Sequence, residues 1–193
     1  MQVKSIELDV KTSALILIDL QNGIVAMPTV PYSAAQVVST CAELATQFRA
    51  HGATVVYVRV DLANMVKLKV DAPSRDPNAP PPPPIASVIV PEAGFTPVDL
   101  VITKRHWSAF LRTDLEQQLI ERGVRTVVLG GIATNMGVES TARDAAGLGF
   151  DVVFVEDAMA SRIVDAHRFA VETIFPRLGR VCKANQLVLT TTA

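Results

Sequence analysis

Residues 125–157 read RTVVLGGIATNMGVESTARDAAGLGFDVVFVED. Two apolar runs, RTVVLGGI (125–132) and DVVFVED (151–157), flank a stretch of helical character from about Asn135 to Leu148, with Gly149 where such a helix stops. The runs are nearly continuous in Val, Ile and Leu instead of alternating with polar residues. That composition indicates strands covered on both faces, which is the condition of a parallel sheet. Joining two parallel strands through a helix takes a right-handed crossover.

The same rhythm extends outward. ALILIDL (14–20), ATVVYVRV (53–60) and DLVIT (99–103) precede the unit, and a weaker run, RVCKANQLVL (180–189), follows it. Ser33 and Gln36 have the spacing of a capping box opening a helix that ends at His51-Gly52. Thr113 and Glu116 predict a second box, for a helix that stops at Gly123, and a last helix is expected from about Arg162 to Phe175, ended by Pro176. Strand and helix alternate, so the fold class is α/β, doubly wound around a parallel sheet. The exception is the connection 61–97, which includes NAPPPPPIA. Its five prolines, Pro80 to Pro84, favour extended polyproline backbone, and so long an irregular connection reads as a lid or a dimer-contacting excursion, or else as a surface loop.

Composition limits the partners. With 193 residues, 49% of them hydrophobic, the chain suits a single domain, 1–193, large enough to bury about 70% of its unfolded surface. A net charge of −1, with Lys and Arg scattered among acids, recommends neither nucleic acid nor a membrane surface. The N-terminal MQVKSIELDV lacks the basic-then-apolar pattern of a leader, and no apolar run reaches the ~18 residues of a membrane span, so the expectation is a cytoplasmic protein whose partner is a small molecule or another copy of itself. Cys41 and Cys182 have no metal-binding spacing and read as buried thiols. His106 and His167 likewise lack ligand spacing, and His51 suits a helix C-terminus.

Ligands of open parallel sheets collect beyond the carboxyl ends of the strands, where strand order reverses. Three features fall there: Asp19 inside LILIDLQNG, Lys104 inside VITKRHWSAF, and Asn135 with Gly137 inside GGIATNMG. A carboxylate inside an apolar run is costly without a partner, so Asp19 and Lys104 form either a catalytic pair or a structural ion pair. Trp107 and Phe110 either wall the pocket or pack in the core, and Asn135 either orients a ligand carbonyl or caps the helix.

ALILIDLQNGI (14–24), the long stretch from Val101 to Ser161 and the helix after it resemble the isochorismatase-like hydrolases, also called the cysteine hydrolase superfamily. The resemblance implies a Rossmann-like α/β/α sandwich around a six-stranded parallel sheet. It implies that relatives cleaving amides use an aspartate matching Asp19, a lysine matching Lys104 and a cysteine matching Gly137. It further implies a cis peptide at Ile132-Ala133 that turns the N–H groups of Ala133 and residue 137 toward a developing oxyanion. In this chain position 137 is glycine, which sets aside a covalent thioester mechanism. The metal-binding branch places an acid and histidines after the second strand, whereas here Asp61 stands without a histidine, so neither metal nor other cofactor is expected. True isochorismatases also carry glycine at this position; their aspartate acts as a general acid on a vinyl ether. For that role Asp19 must hold a proton, which burial favours and Lys104 opposes. The implied readings are a hydrolase using Asp19, Lys104 and water, or a member that binds a ligand or serves as an oligomeric scaffold. Relatives assemble as dimers or tetramers, which implies a homodimer or homotetramer.

Overall fold

The computed structural model describes residues 5–73, 76 and 78–191; residues 74, 75 and 77 of the 61–97 excursion, and the ends 1–4 and 192–193 of the 1–193 domain, lie outside the described residues. The chain opens with β1 (Ile6–Asp9) and β2 (Ser13–Ile18), followed by the short α1 (Asn22–Val25), α2 (Ala34–Ala50) and β3 (Thr54–Val60). After the excursion come β4 (Leu100–Lys104), α3 (Leu115–Glu121), β5 (Thr126–Ile132), α4 (Glu139–Gly147) and β6 (Asp151–Ala160). The remainder is α5 (Val164–Phe169), α6 (Phe175–Leu178), β7 (Arg180–Cys182) and β8 (Leu187–Thr190).

Six strands make one parallel sheet in the order β4-β3-β2-β5-β6-β7. Chain order reverses between β2 and β5, so the switch point lies where Asp19 and the residues after Ile132 emerge. Every residue of β2 is buried. Its alternate side chains feed opposite faces. Leu15 and Leu17 pack with Val37, Cys41, Leu44 and Phe48 of α2. Ile16 and Ile18 pack with Leu115, Leu119, Ala142 and Phe175 from the other helical layer. Each such aliphatic side chain contributes about 1.5–3 kcal/mol on burial, which holds β2 in register as the axis of the sandwich.

The local signals held where the backbone alone decides. The Ser33–Gln36 capping box is present, and Gly52, Gly123 and Gly149 take the left-handed conformation at helix ends. Others gave way. Thr113 and Glu116 do not form the expected box: the Thr113 hydroxyl donates to the carbonyl of Ala109 at 2.5 Å and accepts from the N–H of Leu115 at 3.3 Å, and the helix begins after Asp114. Pro176 does not end the last helix. A π-helical turn, Ala170–Ile174, intervenes, and Pro176 falls in the first turn of α6, where its missing N–H has no intrahelical partner to lose. The run 180–189 is not one strand but two, because residues 184–186 form a 3₁₀ turn between β7 and β8. β8 leaves the main sheet and pairs in parallel with β1, a two-stranded sheet that the sequence reading did not anticipate.

Within the excursion, Pro83 has polyproline backbone (φ −64°, ψ 152°). Pro84 opens a 3₁₀ turn, and Ile89 bridges back to Gln21. Among the described residues, no helix is long and apolar enough to cross a membrane.

Candidate functional site

Three segments converge at the switch point. The chain leaves β2 through Asp19, a left-handed residue (φ 55°) whose N–H donates to the carbonyl of Val58 at 2.8 Å. Aspartate tolerates this region better than most side chains, and a non-glycine held there signals a constrained position. Gln21, wholly buried, fixes the turn: its amide nitrogen donates to the carbonyls of Val60 (3.0 Å) and Ala86 (3.1 Å), and its oxygen accepts from the N–H of Val60 (2.7 Å). Asn22 Nδ2 donates to the carbonyls of Ile85 and Val88, so the excursion is strapped to the segment bearing Asp19. Gln21 and Asn22 were not singled out from the sequence. The available signal was a polar pair directly after an apolar strand.

Lys104 ends β4 and is 1% exposed. Its side chain reaches across the end of β3, placing Nζ 2.9 Å from Asp19 Oδ2 and donating to the carbonyl of Trp107 at 2.6 Å. Gly137 arrives from β5 in a π-helical turn, Thr134–Val138, before α4 begins. A β-carbon built on Gly137 would lie 3.2 Å from Asp19 Oδ2, 3.0 Å from Lys104 Nζ and 2.9 Å from Ile18 Cγ2. The structure therefore brings Asp19, Lys104 and Gly137 to one point, and their side chains occupy the margin of the space a larger residue at 137 would need.

Asp19 is 7% exposed, and its Oδ1 is buried without a hydrogen-bond partner among the described residues. Burial, the largest influence, raises its carboxyl pKa above the ordinary range; the charge and hydrogen bond of Lys104 oppose that rise and do not cancel it. A carboxyl held this way can retain a proton into the range where general acids work. The two cysteines are no substitute for a thiol at 137. Burial pushes the Cys41 thiol far up, and its Sγ donates to the carbonyl of Ala158. The Cys182 thiol is pushed up to about 11.

The other anticipated residues divide. The Ile132-Ala133 peptide is cis, and the carbonyl of Ala133 accepts from the N–H groups of Met136 and Val138. Asn135 is not a helix cap: the turn starts without a side-chain cap, and Asn135 Oδ1 accepts from Ser161 Oγ at 2.5 Å. Trp107 is 52% exposed beside Lys104, while Phe110 is buried in the core and stacks on Phe150 (centroids 5.8 Å apart), the packing role of its two alternatives. Asp61 is occupied with Asn64, whose Nδ2 lies 3.1 and 2.9 Å from its two oxygens, and with Arg105 at 3.5 Å. A separate groove of about 860 Å³ runs along α2, lined by Val25, Val38, Ala42 and Val90 among others, and none of Asp19, Lys104 or Gly137 lines it.

The sequence model of the isochorismatase domain matches residues 13–186, a span that contains all three site residues. The chain belongs to the isochorismatase family of hydrolases. It is 43% identical to the uncharacterized isochorismatase family protein YecD of Escherichia coli O157:H7, over 95% of this chain and 98% of YecD. A solved isochorismatase family protein from Burkholderia thailandensis is 45% identical and superposes with a TM-score of 0.88, covering 95% of this chain and 97% of that one. A shorter likeness, 42% identity over 41% of this chain and 33% of the relative, is to the ureidoacrylate amidohydrolase RutB of Variovorax paradoxus. The six-stranded parallel sheet is thus the isochorismatase-family fold, with Asp19, Lys104 and Gly137 at its switch point.

Proposed function

We propose that this isochorismatase-family chain hydrolyses a small metabolite with Asp19 as general acid, Lys104 as its electrostatic partner and no covalent intermediate, the favoured bond being a vinyl ether. The observation that carries this reading is the buried Asp19 carboxyl, its pKa raised by burial and Oδ1 left without a partner, facing a position that bears no nucleophile. Asp19 gives its proton to the terminal enol carbon, and the ether oxygen shares the resulting positive charge as an oxocarbenium ion. Water adds to the cationic carbon and returns a proton to the Asp19 carboxylate, after which the hemiketal separates into a ketone and an alcohol. Lys104 stabilises the carboxylate formed midway, so the charge that opposes protonation in the resting enzyme assists proton departure. Gly137 keeps the approach open for water or substrate, and the N–H groups of Ala133 and Gly137, the amide of Asn135 and the ring of Trp107 are the groups that meet the ligand. Amide cleavage of the kind RutB's name describes would need, by a thiol route, a side chain that position 137 lacks.

The test is incubation of purified protein with isochorismate, following pyruvate release in wild type and Asp19→Asn. Release that falls about 10²–10⁴-fold in the variant is expected of a lost general acid; equal release in both would sink the assignment. The missing nucleophile also favours a second reading, ligand binding without turnover, as a receptor or a homodimeric or homotetrameric scaffold. Saturable thermal stabilisation by metabolites with no product formed would establish it.

A further inference from the structure

Behind the turn that carries Gly137 runs a chain of polar groups that the hydrolysis above does not use. Thr134, the first residue of the turn, is wholly buried, and its hydroxyl lies 2.8 Å from His167 Nδ1. His167, on α5, is 4% exposed, and its ring meets Tyr32 edge-on with centroids 6.4 Å apart. Its Nε2 is 3.7 Å from Glu156 Oε1, which also accepts from the Tyr32 hydroxyl at 2.9 Å. The loop before α2, the strand β6, the helix α5 and the π-helical turn are thereby joined by four side chains.

His167 holds the Glu156 carboxyl below its ordinary range, with the Tyr32 bond acting in the same direction, so Glu156 is an acceptor at neutral pH. With Nε2 turned toward that carboxylate, Nδ1 is the ring atom that shares a hydrogen bond with the Thr134 hydroxyl. A π-helical turn is a rare geometry, and this one is fixed at both ends. Downstream, Thr141 Oγ1 donates to the carbonyl of Gly137 at 2.7 Å and accepts from the N–H of Ala109 at 3.0 Å. Upstream, the tie is Thr134 to His167.

We propose that His167 is a positioning residue of this site: by holding Thr134, it sets the turn Thr134–Val138 at the depth that brings Gly137 against Asp19 and Lys104. The proposal rests on the assignment of that site but not on the reaction run there. Glu156 and Tyr32 act through His167, as the far end of the same tether.

A thiol placed at 137 reports the alignment without turnover. In Gly137→Cys, the pH dependence of iodoacetamide alkylation at residue 137, followed by mass spectrometry, is expected to place the thiol below the ordinary value of about 8.5, since Lys104 Nζ and the helix entrance favour the thiolate more than the neighbouring Asp19 carboxyl, itself paired with Lys104, opposes it. Adding His167→Ala or Thr134→Val shifts the midpoint up by about one pH unit, a tenfold loss of thiolate at a given pH. Thr134→Ser, which keeps the hydroxyl, and His167→Asn, whose amide can replace Nδ1, restore the parent profile. A His167→Ala profile that superposes on the parent's, a Thr134→Ser variant that fails to restore it, or a parent thiol that titrates as an ordinary cysteine each overturns the proposal. Should His167→Ala fail to fold, the Thr134→Val and Thr134→Ser pair decides alone. Absence of pyruvate release from the unaltered protein would remove the vinyl-ether reading and leave this result standing.

Discussion

Strand β4 has an ion pair beside each end, and the two are built to opposite specifications. At its amino end, Asp99 pairs with Arg49 of α2 at 2.9 Å, and the same carboxylate oxygen accepts from the N–H and hydroxyl of Thr96 at 2.7 and 3.0 Å. At its carboxyl end, Lys104 pairs with Asp19 at 2.9 Å, yet Asp19 Oδ1 is buried with no partner among the described residues. The first carboxylate has one oxygen held by three donors and ties a helix to a loop. The second is left short of them, a condition that costs stability and makes sense where a substrate completes the shell. Two pairs of equal separation thus differ in how many donors reach the carboxylate.

Substitutions test that contrast from both ends. The largest effect is expected from Asp19→Asn, in turnover above all. In wild type the general-acid limb of the pH–rate profile falls as pH rises through the raised Asp19 pKa, and the variant lacks that limb. The sign for stability is the same. Because the folded chain binds this proton more tightly than the unfolded chain, the contribution is full below the ordinary carboxylate range and is lost as pH rises through the folded pKa. Denaturant titrations of wild type and Asp19→Asn across pH should therefore show the difference moving against wild type on the alkaline side. A difference that moves the other way would mean that Lys104, not burial, governs Asp19.

Asp99→Ala is the mirror experiment. Removing the carboxylate takes away the charge-assisted bonds to the part-exposed Arg49 and to Thr96, and a loss of about 2 kcal/mol in unfolding free energy is expected with kcat per folded molecule unchanged. A comparable fall in kcat would break the comparison. Gly137→Ala comes next. Overpacking of about 1–3 kcal/mol against Ile18 and Lys104 exceeds the roughly 1 kcal/mol that alanine gains over glycine in helical backbone, so a net loss of about 1 kcal/mol with reduced kcat is expected. The smallest effect belongs to Arg49→Lys, which keeps the charge but not the planar fork: below about 1 kcal/mol, with no kinetic consequence. A large loss there would show that Asp99 depends on guanidinium geometry more than on its bonds to Thr96.

Much of this was legible in the residues. The unbroken apolar runs gave five of the six strands of the main sheet near their observed positions, because a strand buried on both faces must be apolar along its length and β2, β3 and β5 satisfy that locally. Asp19 and Lys104 stood out for the same reason, as charges attached to runs with no local use for one. What stayed hidden depended on distance. β1 and β8 are short and half-exposed, and only their mutual pairing makes them a sheet. The π-helical turn looks like an ordinary helix start, since His167, the partner its first residue Thr134 meets, lies far along the chain. Pro176 reads as a stop because sequence does not announce the turn before it.

The sequence by itself determined the layered fold, the sheet edge to which Asp19, Lys104 and Gly137 belong, and the absence of a nucleophile at residue 137. Those follow from hydrophobic patterning, strand polarity and the chemistry of single side chains, all of which act over a few residues. Only the tertiary structure decided that Asp19 is buried beside Lys104 with Oδ1 unpartnered among the described residues, that Asp99 meets Arg49 and Thr96 at the other end of β4, and that the Thr134 hydroxyl meets His167. Each of those depends on how many donors and how little water surround a group, and both are supplied by segments distant in the chain.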